Sequence, residues 1–240
     1  MAAGLGTRLK PWTEHHPKAL VPVGGVPMLR RVVEKLRGEG FDDIVINVHH
    51  FSDQIREYVE ANDFGVRIRL SDESDLLLDT GGGIANAAEL LDGEPFLVHN
   101  VDILSDAPLR GLMEAHKSSG NGITLLTSDR SSSRRLVFDP TETLRGWHNT
   151  VSGEYRPSGF APAADMKEAA FSGIYVVSPK ALAAIREYGN ETGGRKFPIM
   201  DFLLSGPQGI SIRRHHLDQL NLIDIGKPDT LEAAGHLFGV

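Results

Sequence analysis

The apolar positions of this chain follow two rhythms, and their alternation predicts the fold. Leu29, Val32, Val33 and Leu36 share one face of a helix that Pro27 opens and Gly38 and Gly40 close. Ile44 to Val48 is a run dominated by β-branched apolar residues, the pattern of a strand buried on both faces. Ser52 stands where a second helix needs a cap, with Ile55, Tyr58 and Val59 turned inward. Val66, Ile68 and Leu70 then alternate as a strand. An Ala/Leu-rich helical run follows Gly81, Gly82 and Gly83, and Pro95 to His99 is another buried strand. Residues 108–117 read as a helix, Ile123 to Thr127 and Ala170 to Tyr175 as strands, and Ser178-Pro179 as a helix start. The order predicts right-handed βαβ units. The class is α/β, a Rossmann-like mixed, mainly parallel sheet with helices on both faces. At 240 residues a single domain, 1–240, holds the whole pattern. The stretch 131–165 is rich in Ser, Gly and Pro, and 131–175 is expected to form a β-ribbon and loops that cover a substrate.

One segment fits neither rhythm: Ala2 to Val23, AAGLGTRLKPWTEHHPKALVPV. Gly4 and Gly6 let the backbone turn tightly and bring main-chain N–H groups close to a ligand. Successive exposed N–H groups make a concavity for an anion, the usual cradle of a phosphate chain. Arg8 adds a planar cationic fork and Lys18 a mobile point charge. Pro11 and Pro17 forbid a continuous helix, so the segment is a long ordered loop, a type that is usually functional. Taken as a bare GxG, it would read better as a glycine turn with solvated charges. A glycine phosphate loop in an α/β protein normally follows a β-strand, and none precedes this one. The expectation is an incomplete N-terminal strand.

Two later places carry polar residues at strand or helix ends. Gly81 to Gly83 put backbone amides at a helix N-terminus, where they can meet a polar ligand or serve as a hinge. Asn100-Val101-Asp102 follows a buried strand, at the edge of a parallel sheet where ligands bind. Asp102 is there a turn or cap residue, or an oxygen ligand for Mg²⁺.

Composition narrows the chemistry. There is no cysteine, so thiolate catalysis, disulfides and Cys-based zinc sites are excluded. A net charge of −7 argues against nucleic acid or an anionic membrane as a partner. The short basic runs, Arg130 with Arg134 and Arg135, and Arg213 to His216, read as solvated faces, with Arg134 or Arg135 within reach of a phosphate. His49-His50 and His215-His216 lack the spacing of zinc ligands on a helix. No apolar run has transmembrane length and no charged-then-apolar leader precedes the loop. A cytoplasmic protein is the expectation.

The string GLGTRLKPWTEHHPKALVPV resembles the signature GxGTRLxPxTxxxPKxLxPV of the sugar-1-phosphate nucleotidyltransferases in residue type and spacing alike. The resemblance extends to the glycine-rich segment at 81–83, Asn100-Val101-Asp102, Phe171-Ser172-Gly173-Ile174 and Leu222-Ile223-Asp224-Ile225-Gly226-Lys227-Pro228. It implies that Ala3, Gly4, Gly6 and Thr7, with Gly81, Gly82 and Gly83, bind the nucleotide. It implies catalytic roles for Arg8 and Lys18, Mg²⁺ on Asp102 and Asp224 (one ion or two), and sugar contacts at Gly173 and Asn149. Pro228 would open a terminal helix, and no acyltransferase or regulatory domain is expected after it. Val101, Asn221 and Lys227 depart from the family's commoner residues. Where relatives carry Glu-Lys-Pro for the sugar phosphate, this chain has Trp147-His148-Asn149, or Glu154-Tyr155-Arg156-Pro157.

The reaction so implied joins a nucleoside triphosphate to a sugar 1-phosphate and releases pyrophosphate. The attacking phosphate is already an anion, so no strong base is needed and catalysis rests on positioning and charge neutralisation. At finer grain PKALVPV, Asp-Thr-Gly-Gly-Gly and Phe-Ser-Gly-Ile resemble cell-wall-recycling uridylyltransferases acting on N-acetylated muramic or related amino-sugar 1-phosphates. The alternatives are guanylyl transfer to mannose- or heptose-1-phosphate, or a non-catalytic nucleotide-binding regulator on the same fold. A glycosyltransferase would want Asp-x-Asp, which Asn100-Val101-Asp102 does not supply. The expected partners are the two small substrates alone, for a monomer or homodimer.

Overall fold

The computed structural model describes residues 1–91, 93–226, 230 and 234. The opening loop leads into a short hairpin, β1 (Pro22–Val23) and β2 (Val26–Pro27), and then α1 (Met28–Gly38). Next come β3 (Asp43–Val48), α2 (Ser52–Glu60), β4 (Arg67–Asp72), α3 (Asp79–Asn86), β5 (Phe96–His99), β6 (Ile103–Ser105) and α4 (Leu109–Ser119). The second half holds β7 (Ile123–Ser128), β8 (Arg134–Phe138), β9 (Leu144–Asn149), β10 (Glu154–Arg156) and β11 (Lys167–Val177). It closes on α5 (Pro179–Glu191), α6 (Ile199–Leu204), β12 (Ile212–Leu217) and β13 (Leu222–Asp224). The segment Lys227-Pro228, with its expected helix start, lies outside the described residues.

The sheet is mixed, with the long β11 at its centre. The order is β10-β9-β8-β11-β7-β12, with β5 on the second half of β11. The described ladders that involve β11 are antiparallel, while β7–β12 and β3–β4 are parallel. Parallel character is therefore confined to places where a helix crosses over, and the 131–175 stretch supplies antiparallel ribbon.

Alternation along the strands makes two cores. Ile174 and Val176 of β11, with Leu126 of β7, face a core shared with α1, β3, Ile55 of α2 and Leu109 and Leu112 of α4. Tyr175 and Val177, with Ile123 and Leu125, face the opposite core with Ile84 of α3, Ile185 of α5 and Phe202 of α6. Helices thus cover both faces, as the two rhythms require.

Two local expectations change. Ser52 is the first residue of α2 rather than its cap; Phe51, at φ 54°, holds that place without a side-chain bond. The basic run Arg213 to His216 is part of β12, paired in parallel with β7, with Arg213 exposed and the next three residues half-buried. The Arg214 side chain is tucked into an ion pair with Glu142 and lies 5.2 Å from the centroid of the Phe138 ring. Ser178 caps α5 as expected, accepting the Ala181 N–H at 3.2 Å.

Among the described residues β3 pairs with β4 and β5 with β11. Between β3 and β5 lies a cavity of about 800 Å³.

Candidate functional site

The opening loop is ordered by its glycines and prolines. It makes three 3₁₀ turns, Thr7–Leu9, Trp12–Glu14 and Lys18–Leu20. Gly6 adopts φ +63°, and a Cβ there would lie 2.9 Å from both the Cβ of Lys18 and the Cγ2 of Thr13. Only glycine allows that conformation and that approach together. The Thr13 hydroxyl donates to the Gly6 carbonyl at 2.9 Å, closing the loop on the stem of Lys18. Ala3 is buried beneath, whereas Gly4, Thr7 and Arg8 are exposed. Among the described residues, chain neighbours aside, no group comes within 4 Å of the space a Gly4 Cβ would take.

Lys18 reaches across to Asp102, its ammonium hydrogen-bonded to the Asp102 carboxylate, with side-chain exposures of only 11% and 20%. Asp102 sits in the turn between β5 and β6. Its carbonyl accepts the N–H of Ile225 at 2.8 Å, and the β13–β6 ladder sets Asp224 opposite Ile103. The two aspartates, remote in sequence, therefore stand on adjacent stretches of backbone. Gly226 is buried against the Arg8 guanidinium and the Asp224 carboxylate, both of which a Cβ at 226 would strike. Arg8, Lys18, Asp102 and Asp224 are thus brought to one edge of the sheet.

Gly173 is close by. It sits at φ +76° where the β11–β7 register shifts, and a Cβ there would lie 2.8 Å from the Asn100 amide nitrogen. Ser172 holds the bulge, its hydroxyl donating to the Leu126 carbonyl at 2.8 Å. At the end of β7, Arg130 donates from Nη2 to the Phe171 carbonyl at 2.8 Å. Its Nε is buried with no partner among the described residues. Burial lowers the pKa of this guanidinium, against the opposing pull of Asp224. Arg130 was legible only as one member of a basic run.

Other expected contacts come out differently. The amides of Gly81 and Gly82 do not face a ligand: both donate to the Phe197 carbonyl, at 2.9 and 3.1 Å. The triplet is buried, with the Phe197 ring against Gly81, the Arg195 carbonyl against Gly82 and the Glu73 Oε1 2.7 Å from a Cβ at Gly83. Here glycine admits neighbouring protein. Asn149 ends β9, and its side-chain oxygen is engaged in the hairpin, accepting the N–H groups of Val151 and Ser152 at 3.0 and 3.4 Å. His148 bonds Glu168 at 2.8 Å and Arg156 pairs with Asp201 at 2.7 Å. Arg135 lies 3.7 Å from Glu168.

A buried polar network under the loop had no sequence signal. The Ala2 N–H donates to Asn47 Oδ1 at 2.6 Å, and Asn47 Nδ2 donates to Glu73 Oε1 at 2.7 Å. Glu73 is fully buried, and burial pushes its carboxyl above the ordinary carboxylate range. The network ties the loop's first residue to β3 and to the approach of α3. Among the described residues, one cluster of three candidate metal ligands occurs, Asp129, His216 and Asp218. It is a different place from the Asp102–Asp224 pair.

Comparison with known proteins places the chain among relatives of known family and fold. The family described as nucleotidyl transferase matches residues 1–136. An N-acetylmuramate alpha-1-phosphate uridylyltransferase from Caulobacter vibrioides is 30% identical over 189 residues, 76% of this chain and 75% of that protein. Mannose-1-phosphate guanyltransferase beta-A of Xenopus laevis is 30% identical over 204 residues, 83% of this chain and 54% of that protein, about half its length. The crystal structure of HddC from Yersinia pseudotuberculosis shares the fold, with a TM-score of 0.78 at 23% identity over 99% of this chain and 96% of that one. None of the helices described is long and apolar enough to cross a membrane.

Proposed function

The chain belongs to the nucleotidyl transferase family, and we propose that it makes a nucleotide-sugar and pyrophosphate from a nucleoside triphosphate, UTP in preference, and a sugar 1-phosphate. The observation that carries this reading is the meeting of Arg8, Lys18, Asp102 and Asp224 at one sheet edge. A sugar-phosphate oxygen bonds to the α-phosphorus as the bond to the bridging oxygen breaks, and pyrophosphate leaves with that electron pair. No proton must move.

Arg8, exposed at the mouth, meets the leaving β- and γ-phosphates. Lys18 swings from Asp102 to the α-phosphate or the incoming one. Gly4, Gly6 and Thr7 give the triphosphate its backbone cradle, with Ala3 below them. Gly173 lets the Asn100 amide come up against the bulge of β11, and the sugar is taken beside that amide. Arg130, whose buried Nε has no partner among the described residues, supplies from its guanidinium the sugar-phosphate contact that Glu-Lys-Pro provides in relatives.

The residues present fit Mg²⁺: two carboxylates on adjacent backbone give the oxygen donors such an ion takes, and one already holds a cation, the Lys18 ammonium. Asp102 and Asp224 would hold it, and it would neutralise charge on the reacting phosphates.

By resemblance to the uridylyltransferase relative, the sugar is an N-acetylated muramic or related amino sugar, the setting cytoplasmic cell-wall recycling, and the state monomer or homodimer. Pyrophosphate release with UTP, GTP, CTP and dTTP against a panel of sugar 1-phosphates tests the reading. The highest kcat/KM is expected with UTP, since a pocket that hydrogen-bonds one base leaves polar groups unpaired with another. A preference for GTP would overturn the uridylyl assignment and keep the chemistry. No release with any pair would overturn both.

A further inference from the structure

One buried acid has no part in the chemistry described so far. Glu73 directly follows β4, where the chain leaves the β3–β4 ladder for α3, and it is fully buried. Its backbone is pinned to the end of β3. The Glu73 N–H donates to the Val48 carbonyl at 2.8 Å, and its carbonyl accepts from His49 Nδ1 at 2.7 Å. Both oxygens of the side chain are engaged as well. Oε1 accepts from Asn47 Nδ2 at 2.7 Å, and Oε2 accepts the Leu78 N–H at 3.2 Å. Both bonds come from donors, so the surroundings fit a carboxylate, which only accepts.

That choice of group sets the orientation of Asn47. An asparagine amide has an oxygen on one arm and an NH₂ on the other, and beside a carboxylate the NH₂ must turn inward. Asn47, itself buried, is left presenting Oδ1 to the opening loop, where it accepts the Ala2 N–H at 2.6 Å. Gly4, the start of the cradle, is two residues further on. The same pair also determines what can stand at the end of α3. A Cβ at Gly83 would lie 2.7 Å from Glu73 Oε1 and 3.1 Å from Asn47 Nδ2, so only glycine admits them.

We propose that Glu73 is the positioning residue of the opening loop, acting through Asn47. Its carboxylate locks the Asn47 amide in the orientation that accepts the Ala2 N–H, and so fixes the entry of the loop that cradles the triphosphate. Glu73 touches neither substrate. With an NH₂ in place of one carboxylate oxygen, Asn47 would turn its own oxygen inward to meet it. The Asn47 NH₂ would then face the Ala2 N–H, donor against donor, and the loop would lose its anchor.

Glu73→Gln makes that change at constant shape. Amide exchange read by NMR should speed roughly tenfold over residues 2–9, and KM for the triphosphate should rise roughly tenfold, the value of one hydrogen bond to a charged group. KM for the sugar phosphate should stay within about twofold of wild type. Combining it with Asn47→Asp exchanges the two groups. The carboxylate, now at 47, accepts the Ala2 N–H and the new NH₂, and the new amide oxygen takes the Leu78 N–H. Every bond returns at the same net charge, so both readouts should come back to within about twofold of wild type. Should Glu73→Gln alone fail to fold, the folded double variant decides by the same readouts. A single variant that loses Tm yet keeps slow loop exchange and wild-type KM would overturn the proposal. A double variant with fast exchange and a raised KM would do so too. The role rests on the opening loop being the triphosphate cradle, but the exchange readout needs no turnover. Faster exchange repaired by the swap, in a protein that releases no pyrophosphate, would strike the function and support the positioning role.

Discussion

Two glycine clusters in this chain look alike as sequence and have different surroundings in the structure. Gly4 and Gly6 open a loop in which the space beside Gly4 is open among the described residues and the charges beyond it, Arg8 and Lys18, lie against Asp224 and Asp102. Gly81 to Gly83 are buried, their space is taken by Phe197, the Arg195 carbonyl and Glu73, and two of their amides are bonded to Phe197. Both clusters exist because something must come close to the backbone. In the first, Lys18 and Thr13 press on Gly6 and only the space beside Gly4 is open among the described residues; in the second, protein fills the space at all three glycines. A glycine therefore reports close approach, and only the neighbours say of what.

That contrast can be attacked by substitution, beginning with the largest effect. Arg8→Ala should lower turnover on the order of 10²–10³-fold, the cost of one preorganised charge contact, with Tm within a degree or two. Steady-state pyrophosphate release with Mg²⁺ saturating reads it, and full activity would make Arg8 a surface charge. Arg130→Gln should raise KM for the sugar phosphate on the order of tenfold or more, the value of a charged hydrogen bond, and leave KM for the triphosphate unchanged. Equal rises in both would remove Arg130 from the sugar side.

Gly82→Ala places a Cβ on the Arg195 carbonyl, and overpacking of this kind costs about 1–3 kcal/mol. Urea denaturation should show that loss while kcat of the folded fraction stays near wild type. Gly4→Ala should do the reverse, changing stability by no more than about 0.5 kcal/mol and lowering activity. If Gly82→Ala is the variant that loses kcat without stability, the two clusters have been assigned the wrong way round.

The smallest effect is a dependence on pH. Burial lowers the His99 imidazole to about 4, so it binds a proton less readily folded than unfolded. Its contribution to stability should then be full above about pH 6.5 and be lost as pH falls towards 4. Tm measured from pH 8 to 4 should show that decline, and His99→Gln should flatten it.

The helices and buried strands were legible because their apolar residues repeat at the period of the element: α1, β3, β5, β7 and α5 all stand where the pattern put them. What escaped was decided by partners. β12 reads as a charged surface, since nothing in Arg213-Arg214-His215-His216 shows that Glu142 and Phe138 will cover Arg214. Asn47 interrupts an apolar run and Glu73 is an ordinary acid in sequence; their pairing spans two strands that only the fold brings together. Asn149 is a good sugar ligand by residue type, but its own hairpin uses its oxygen first. In the site, Lys18 and Asp102 were named from the motif, whereas Arg130 was not, because its role depends on the Phe171 carbonyl across the ladder.

The central claim is that the opening loop is the chemical site and that Lys18 works there rather than merely pairing with Asp102. The most direct measurement is kcat for Lys18→Ala, from pyrophosphate release with both substrates saturating, set beside its Tm. The account predicts a loss on the order of 10²–10³-fold with the fold intact, whereas wild-type turnover, or a loss that merely follows unfolding, would contradict it.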